Sequence, residues 1–381
     1  MKKVNQLLAP LIIIAIIIFL VIGSQDAKDI NEKYIFTAIA VDKKDGEIYM
    51  YAEVANIRRS NQNITTKAGT QNKYIYIVGH GKTLAEARKN LDTKLSKEPY
   101  SSAIRTIILT ENYAKDSLVE YLYRIRSDES YRKKVITVIT KDDPVTLFET
   151  INSQDESVGF SAEETLTSLD ETYGSFSRTT MRMIENISSR YSGFLIPTIG
   201  IDDSKIALVG YSVINGTTIG GFIPETNSES VVYLKANKAL FAFIIKYKDI
   251  NFDINVSLTG RDIKTSYINN DINFDVAFSF KADIMYGDKK TPYNLNDSDR
   301  EALKKLLSKK LKEGLDEAIR QAQEDFKCDY LQFDDEFRIN YPDVFAKLDW
   351  EEAFQKANIN VTVKLEIDDT WMMDYGVNTE E

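Results

Sequence analysis

Gly79-His80-Gly81 holds the one histidine of the chain, between a strand-like and a helix-like segment. A lone imidazole can serve as a general base. It has no second histidine and no G-x-S-x-G nucleophile motif to work with, so it reads as a turn residue near a helix start. The same tripeptide is not a phosphate loop, since it lacks a third glycine and the Lys-Ser/Thr pair. Asp329, Asp334, Asp335 and Glu336 form an acidic cluster that raises calcium. The spacing is not that of an EF-hand, with no glycine at the turn and no glutamate at position twelve. The cluster is therefore expected to be a solvated surface. Cys328 follows a helix end and reads as an inert, partly buried thiol. Trp350 and Trp371 read as core or edge packing rather than as an aromatic ligand cage.

Composition narrows the chemistry further. A single cysteine excludes an intramolecular disulfide and a cysteine-based zinc cluster, and a single histidine excludes His-pair metal sites. No catalytic constellation, metal site or cofactor site is expected, and the chain reads as a non-enzyme. Hydrophobic content of 43% and charged content of 28% are those of a folded globular protein. At 381 residues there is length for two or three domains. The net charge of −10 argues against a nucleic-acid partner. It would also be repelled by anionic lipid, so membrane attachment should come from an apolar segment.

Such a segment opens the chain. Lys2 and Lys3 precede an uncharged, isoleucine-rich run from Leu7 to Gly23, including Leu11, Ile14, Ile18, Phe19, Val21 and Ile22. As a helix it would be roughly 25 Å long, within the spanning range. It has no polar face, which argues against a buried core helix. Lysines before it and Asp26, Asp29 and Glu32 after it place the N-terminus in the cytoplasm and the bulk outside. Val21-Ile22-Gly23 looks like the approach to a lipoprotein cysteine, but the next residue is Ser24. Cleavage after Gly23 and an uncleaved anchor both fit; the anchor is favoured.

Beyond the anchor, the patterning alternates strand and helix. Tyr34–Val41 and a segment from Glu47 flank Asp45-Gly46 and read as a hairpin. Residues 58–72 read as a loop and Tyr74–Val78 as a strand. Thr83-Leu84-Ala85-Glu86 is a capping box opening a helix through Leu84, Ala87, Leu91 and Leu95. Ala103–Leu109 reads as a strand buried on both faces, then a helix over about 112–126 and a strand at Val135–Ile139. Residues 152–180 read as short helices and loops, followed by a helix through Met181, Ile184 and Ile187. Lys205–Ile214 and Thr217–Ile223 read as a hairpin around Asn215-Gly216 with a type I′ turn. Three strands follow, at about 239–248, 250–260 and 271–285. A long helix over 298–327 carries Leu303, Leu307, Leu311, Leu315, Ile319, Ala322 and Phe326 on one stripe. Alternation from Ile359 to Ile367 is a half-buried strand. The last third reads as an antiparallel sheet backed by one long helix.

Several stretches together resemble the Ger(x)C family, the C subunits of GerA-type spore germinant receptors. Gly23-Ser24-Gln25-Asp26 stands where members carry Gly-Cys-Trp-Asp. GHGKTLAEARKNL (79–91) resembles a Thr-Leu-x-Glu-Ala segment, and GYSVINGTTIGGF resembles the central β-segment. In the last third, Gln321 or Gln323, Asp329, Phe333, Pro342, Trp350 and Phe354 fall in the family's order. Three departures stand out: Ser24 for the lipidated cysteine, Gln25 for tryptophan, and Asp334 where glycine is common. The resemblance implies a membrane-held, non-enzymatic subunit on the outer face of the spore inner membrane, working with a multi-spanning A subunit and a transporter-like B subunit. Ser24 rules out the family's lipid anchor, leaving the apolar helix to replace it. The expected fold is α+β and multi-domain, mixing α/β and antiparallel-sheet units. Its parts are an anchor (1–23), a mixed α/β domain (24–145), a second domain (146–230) with a hairpin near 205–223, and an α+β domain (231–381). The competing reading is a membrane-anchored extracytoplasmic solute-binding component of an uptake system, which would favour two similar lobes around a cleft.

Overall fold

The computed structural model describes residues 33–55, 73–132, 134–174, 183–185, 193–288 and 295–370. Strands β1 (Lys33–Lys44) and β2 (Glu47–Ala55) form the expected hairpin. Asp45 and Gly46 both take positive φ, 51° and 79°, the conformation of a type I′ turn that matches the strand twist. The edge strand β3 (Tyr74–Gly81) pairs with β2 and leads into α1 (Leu84–Asp92). Thr83 Oγ1 accepts from the Glu86 amide at 3.2 Å, while the Glu86 carboxylate accepts from the Lys82 amide, one residue earlier than a standard capping box.

A short β4 (Glu98–Tyr100) lies parallel on β1. Next come β5 (Thr106–Thr110), α2 (Glu111–Ser127) and β6 (Ile136–Thr140). Both β5 and β6 are buried at every position, because helices cover both faces of the sheet. On one face lie α1 and α2, with Leu91, Tyr113, Leu118 and Leu122 inward. The other is covered by α3 (Pro144–Asn152) and α4 (Val158–Tyr173), through Leu147, Phe148, Ala162 and Leu166. α4 runs 16 residues where short helices and loops were expected. Its buried apolar stripe is narrow, Val158, Ala162 and Leu166, set among many Ser, Thr, Asp and Glu residues, which hid it. The expected helix through Met181 and Ile187 lies largely outside the described residues.

Strands β7 (Phe194–Asp202), β8 (Lys205–Asn215) and β9 (Thr218–Pro224) complete a nine-stranded sheet in the order β3-β2-β1-β5-β6-β7-β8-β9, with β4 on β1. The sheet therefore runs through the boundary expected at 145/146: β7 pairs parallel with β6 across it. At the β8–β9 turn Asn215 still pairs with Thr218, and only Gly216 has positive φ (60°). That is the signature of a type II′ turn with glycine first, rather than type I′.

After α5 (Glu229–Lys235), a four-stranded sheet forms in the order β10-β11-β12-β13. β10 (Leu240–Tyr247), β11 (Ile250–Ile268) and β12 (Asp271–Gly287) are antiparallel. β11 runs eight residues past its expected end, through a register shift at Leu258/Gly260. The chain then crosses over through α6 (Asp297–Arg320), α7 (Phe333–Asn340), α8 (Pro342–Phe345) and α9 (Trp350–Lys356). It returns as β13 (Asn358–Thr370), parallel to β12, so this sheet is mixed rather than wholly antiparallel. Leu303, Leu307, Leu311, Leu315 and Ile319 of α6 are buried in one core with Phe252, Val276, Val361 and Leu365 of the sheet. Leu195, Tyr211, Val213 and Ile223 of β7–β9 belong to that same core, which joins the two sheets.

Candidate functional site

The residues that carried the resemblance in the last third converge on the end of α6. There the helix widens into a π turn over Gln321–Asp325, and the Phe326 amide donates to Gln321 O at 2.8 Å. The widened turn sends side chains to two neighbours. Gln323 Nε2 donates to Phe354 O and Ala357 O, both at 2.8 Å, capping the C-terminal end of α9 beside the Ala357 amide, which also donates to Phe354 O. Phe326 lies against Gly221 of β9, where an added Cβ would come within 2.3 Å of its ring. Cys328 sits beside Gly193 and donates weakly to Ile214 O at 3.5 Å. Burial first, then Asp329, pushes its thiol up to about 12. The inert thiol expected from sequence is fully buried and stays un-ionised at neutral pH.

Asp329 is the centre of the cluster. Its Oδ1 accepts from the Phe333 amide at 3.1 Å; its Oδ2 accepts from the Asp334 amide at 2.8 Å and from Trp350 Nε1 at 3.0 Å. Two of these donors are free amides of the first turn of α7, where a negative charge is favourable. Trp350 in turn stacks on Phe337 at 5.5 Å and packs on Phe345 at 5.2 Å, and Phe333 packs on Phe274 of β12 at 4.9 Å. Lys235 of α5 donates to Tyr330 O and Gln332 Oε1 from the other side. Arg261 of β11 caps the end of α5 through the carbonyls of Tyr233, Leu234 and Ala236.

This corrects the reading of the acidic cluster as a solvated surface. Asp329 is 4% exposed and Asp334 3%. Asp335, by contrast, is half-exposed and pairs with Arg338 at 2.6 Å. Sequence spacing could not separate the two kinds, because α7 turns one acid inward and its neighbour outward. Burial raises the carboxyl of Asp329 above its ordinary range, opposed by the three donors. Burial, then the charges of Asp329 and Asp335, raises that of Asp334 to about 7. Among the described residues, no group of three or more His, Cys, Asp or Glu is placed to hold a metal ion.

His80 lies elsewhere, at the end of β3 rather than in a turn. Its ring is half exposed, 3.3 Å from Glu47 and stacked on Tyr49 at 5.8 Å. It borders a shallow cleft of about 550 Å³ with Lys82, Glu86, Lys89 and Asn90. Thr93 also lines it, with its hydroxyl donating to Asn90 O at 2.8 Å. Sequence reasoning missed Glu53, which is wholly buried on β2. Its carboxylate accepts from Thr37 Oγ1 and Ser157 Oγ, both at 2.6 Å, and from the amides of Val158 (2.8 Å) and Gly159 (3.2 Å). It thereby ties the start of α4 to β1 and β2. A glutamate inside the apolar strand EIYMYAEVA was the available signal.

The anchor residues Leu11, Ile14, Ile18, Phe19, Val21 and Ile22, with Gly23 and Ser24, lie outside the described residues, as does Trp371. Among the described residues no helix is long and apolar enough to cross a membrane.

Known proteins share this architecture. The family described as "Spore germination protein N-terminal domain" matches residues 26–201, and "Spore germination B3/ GerAC like, C-terminal" matches residues 209–370. The spore germination protein YndF of Bacillus subtilis (strain 168) is 22% identical over 406 residues, covering 96% of this chain and 97% of the relative. The crystal structure of the GerBC protein superposes with a TM-score of 0.56 at 15% identity, covering 86% of this chain and 96% of that one, a likeness of fold. With both family domains matched in order along an α+β, multi-domain chain, the protein belongs to the Ger(x)C family of spore germination proteins.

Proposed function

We propose that the chain is the C subunit of a spore germinant receptor, held to the outer face of the spore inner membrane by the apolar segment 7–23. It binds and couples rather than catalyses. Its partners are a multi-spanning A subunit and a transporter-like B subunit, and its role is to keep the receptor assembled while nutrient sensing is passed to germination. One observation carries the non-catalytic part. Gln323, Asp329, Trp350 and Phe354 spend their polar groups and rings on one another and on the sheet, as a scaffold does. The competing solute-binder reading calls for two similar lobes, whereas a nine-stranded and a four-stranded sheet of different topology are found here.

Leu311→Asp in spores tests the reading. Leu311 is 2% exposed in the α6 contact, and its full burial contributes roughly 1.5–3 kcal/mol. A charge there adds a desolvation cost, enough together to unfold a marginal domain. The expected result is loss of this chain, a fall in A and B subunit levels in the purified inner membrane, and failed germination. A destabilised chain with normal partner levels and normal germination removes the case for an assembly role.

A further inference from the structure

Two carboxyl groups with unlike surroundings sit side by side under the α7–α9 cap. Asp329 has three N–H donors on its two oxygens, enough to hold a charge in a dry site. Asp334 is equally buried, yet its Oδ1 has no hydrogen-bond partner among the described residues. Around the pair are Asp335 and Arg338 on α7, Lys235 on α5 and Glu351 on α9. Arg338 is engaged with Asp335 at 2.6 Å, and Lys235 donates to Tyr330 O and Gln332. Two adjacent buried carboxylates repel, and the one lacking donors is the one that must stay neutral.

We propose that Asp329 and Asp334 form a proton-operated latch: the pair carries one negative charge while α7–α9 is seated on the four-stranded sheet, and loss of the second proton loosens that cap. The geometry sets what moves. Asp329 binds the first turn of α7 and the indole of α9 together, so repulsion from an ionised Asp334 acts where both helices are fastened. The hydrogen bonds of Gln323 and the apolar contacts of Phe333, Phe337 and Phe354 remain as a hold, so the cap relaxes locally while the sheet keeps its own core. The latch does not depend on which partners the chain assembles with.

The direction of the pH effect follows from the titration. The Asp334 carboxyl stands at about 7 in the folded chain against an ordinary value of 3.8. The folded chain holds the proton that the unfolded chain has already released. The stability it contributes is therefore fully present below about 4 and lost as pH rises to about 7.

Hydrogen–deuterium exchange of the full-length protein in detergent, between pH 5 and 8, tests this. Once corrected for the intrinsic pH dependence of exchange, peptides from 326–357 in the wild type should lose protection as pH rises. Peptides from β5 and β6 serve as the internal reference. Asp334→Asn keeps the shape of the neutral acid and cannot ionise; its protection should be unchanged across the range. Asp334→Ala removes the group with less demand on packing and should also abolish the step. A wild-type cap whose protection is flat from pH 5 to 8 overturns the latch. So does a step that persists in either variant.

Discussion

Trp350→Phe and Asp329→Ala, singly and together, measure how much the Asp329 cluster holds. Asp329→Ala leaves the amides of Phe333 and Asp334 and the indole of Trp350 without their acceptor. A buried donor left unsatisfied costs about 1–3 kcal/mol. Removal of the raised, buried carboxylate returns part of that, so the net expectation is a loss of about 3–6 kcal/mol. Against a domain stability of about 5–15 kcal/mol, this is a large fraction. Trp350→Phe keeps most of the ring contact with Phe337 and Phe345 and removes one charge-assisted hydrogen bond, costing about 1.5–3 kcal/mol. The double variant should then cost less than the sum, with a coupling of about 1.5–3 kcal/mol. Urea unfolding of the full-length protein in detergent, followed by far-UV circular dichroism, gives all four stabilities without relying on the substituted tryptophan. Additivity within about 0.5 kcal/mol would refute the claim that the 3.0 Å bond fastens α9 to the start of α7.

Two further substitutions separate the seam from the surface. Gly221→Ala should destabilise by about 1–3 kcal/mol through overpacking, because the three atoms nearest the new Cβ all belong to the Phe326 ring; adding Phe326→Leu should recover part of the loss in the same urea assay, and no recovery would remove Phe326 as the cause. His80→Ala should change stability by less than about 0.5 kcal/mol and leave spore germination intact, since the ring is half exposed and its ion-pair partner Glu47 is exposed as well; germination lost with normal protein abundance would contradict a non-catalytic chain.

Local pattern was enough wherever one residue set or one short-range contact decides the structure. The capping residues of α1, the Asp45-Gly46 turn, the all-buried β5 and the leucine stripe of α6 could be read directly, because burial period and turn chemistry are properties of neighbours in sequence. The order of weak signals along nearly the whole chain was likewise sufficient to indicate the family. α4 was not legible: the buried apolar residues of its stripe are only Val158, Ala162 and Leu166, and its start is specified by Glu53, 104 residues before Ser157. The Asn215-Gly216 turn was placed correctly but typed wrongly, because the register of the strands decides which residue stands first in the loop.

What the sequence determined by itself, then, is composition, the anchor-like start and those strands and helices whose period or turn chemistry is local. Tertiary structure alone decided three things. β7 pairs with β6, so residues on both sides of 145 share one sheet. β13 pairs parallel with β12. Of four nearby acids, Asp329 and Asp334 are buried while Asp335 is half-exposed. All three depend on partners far apart in the chain. The environment of a side chain, and with it the charge it can hold, is set by whatever the fold brings against it.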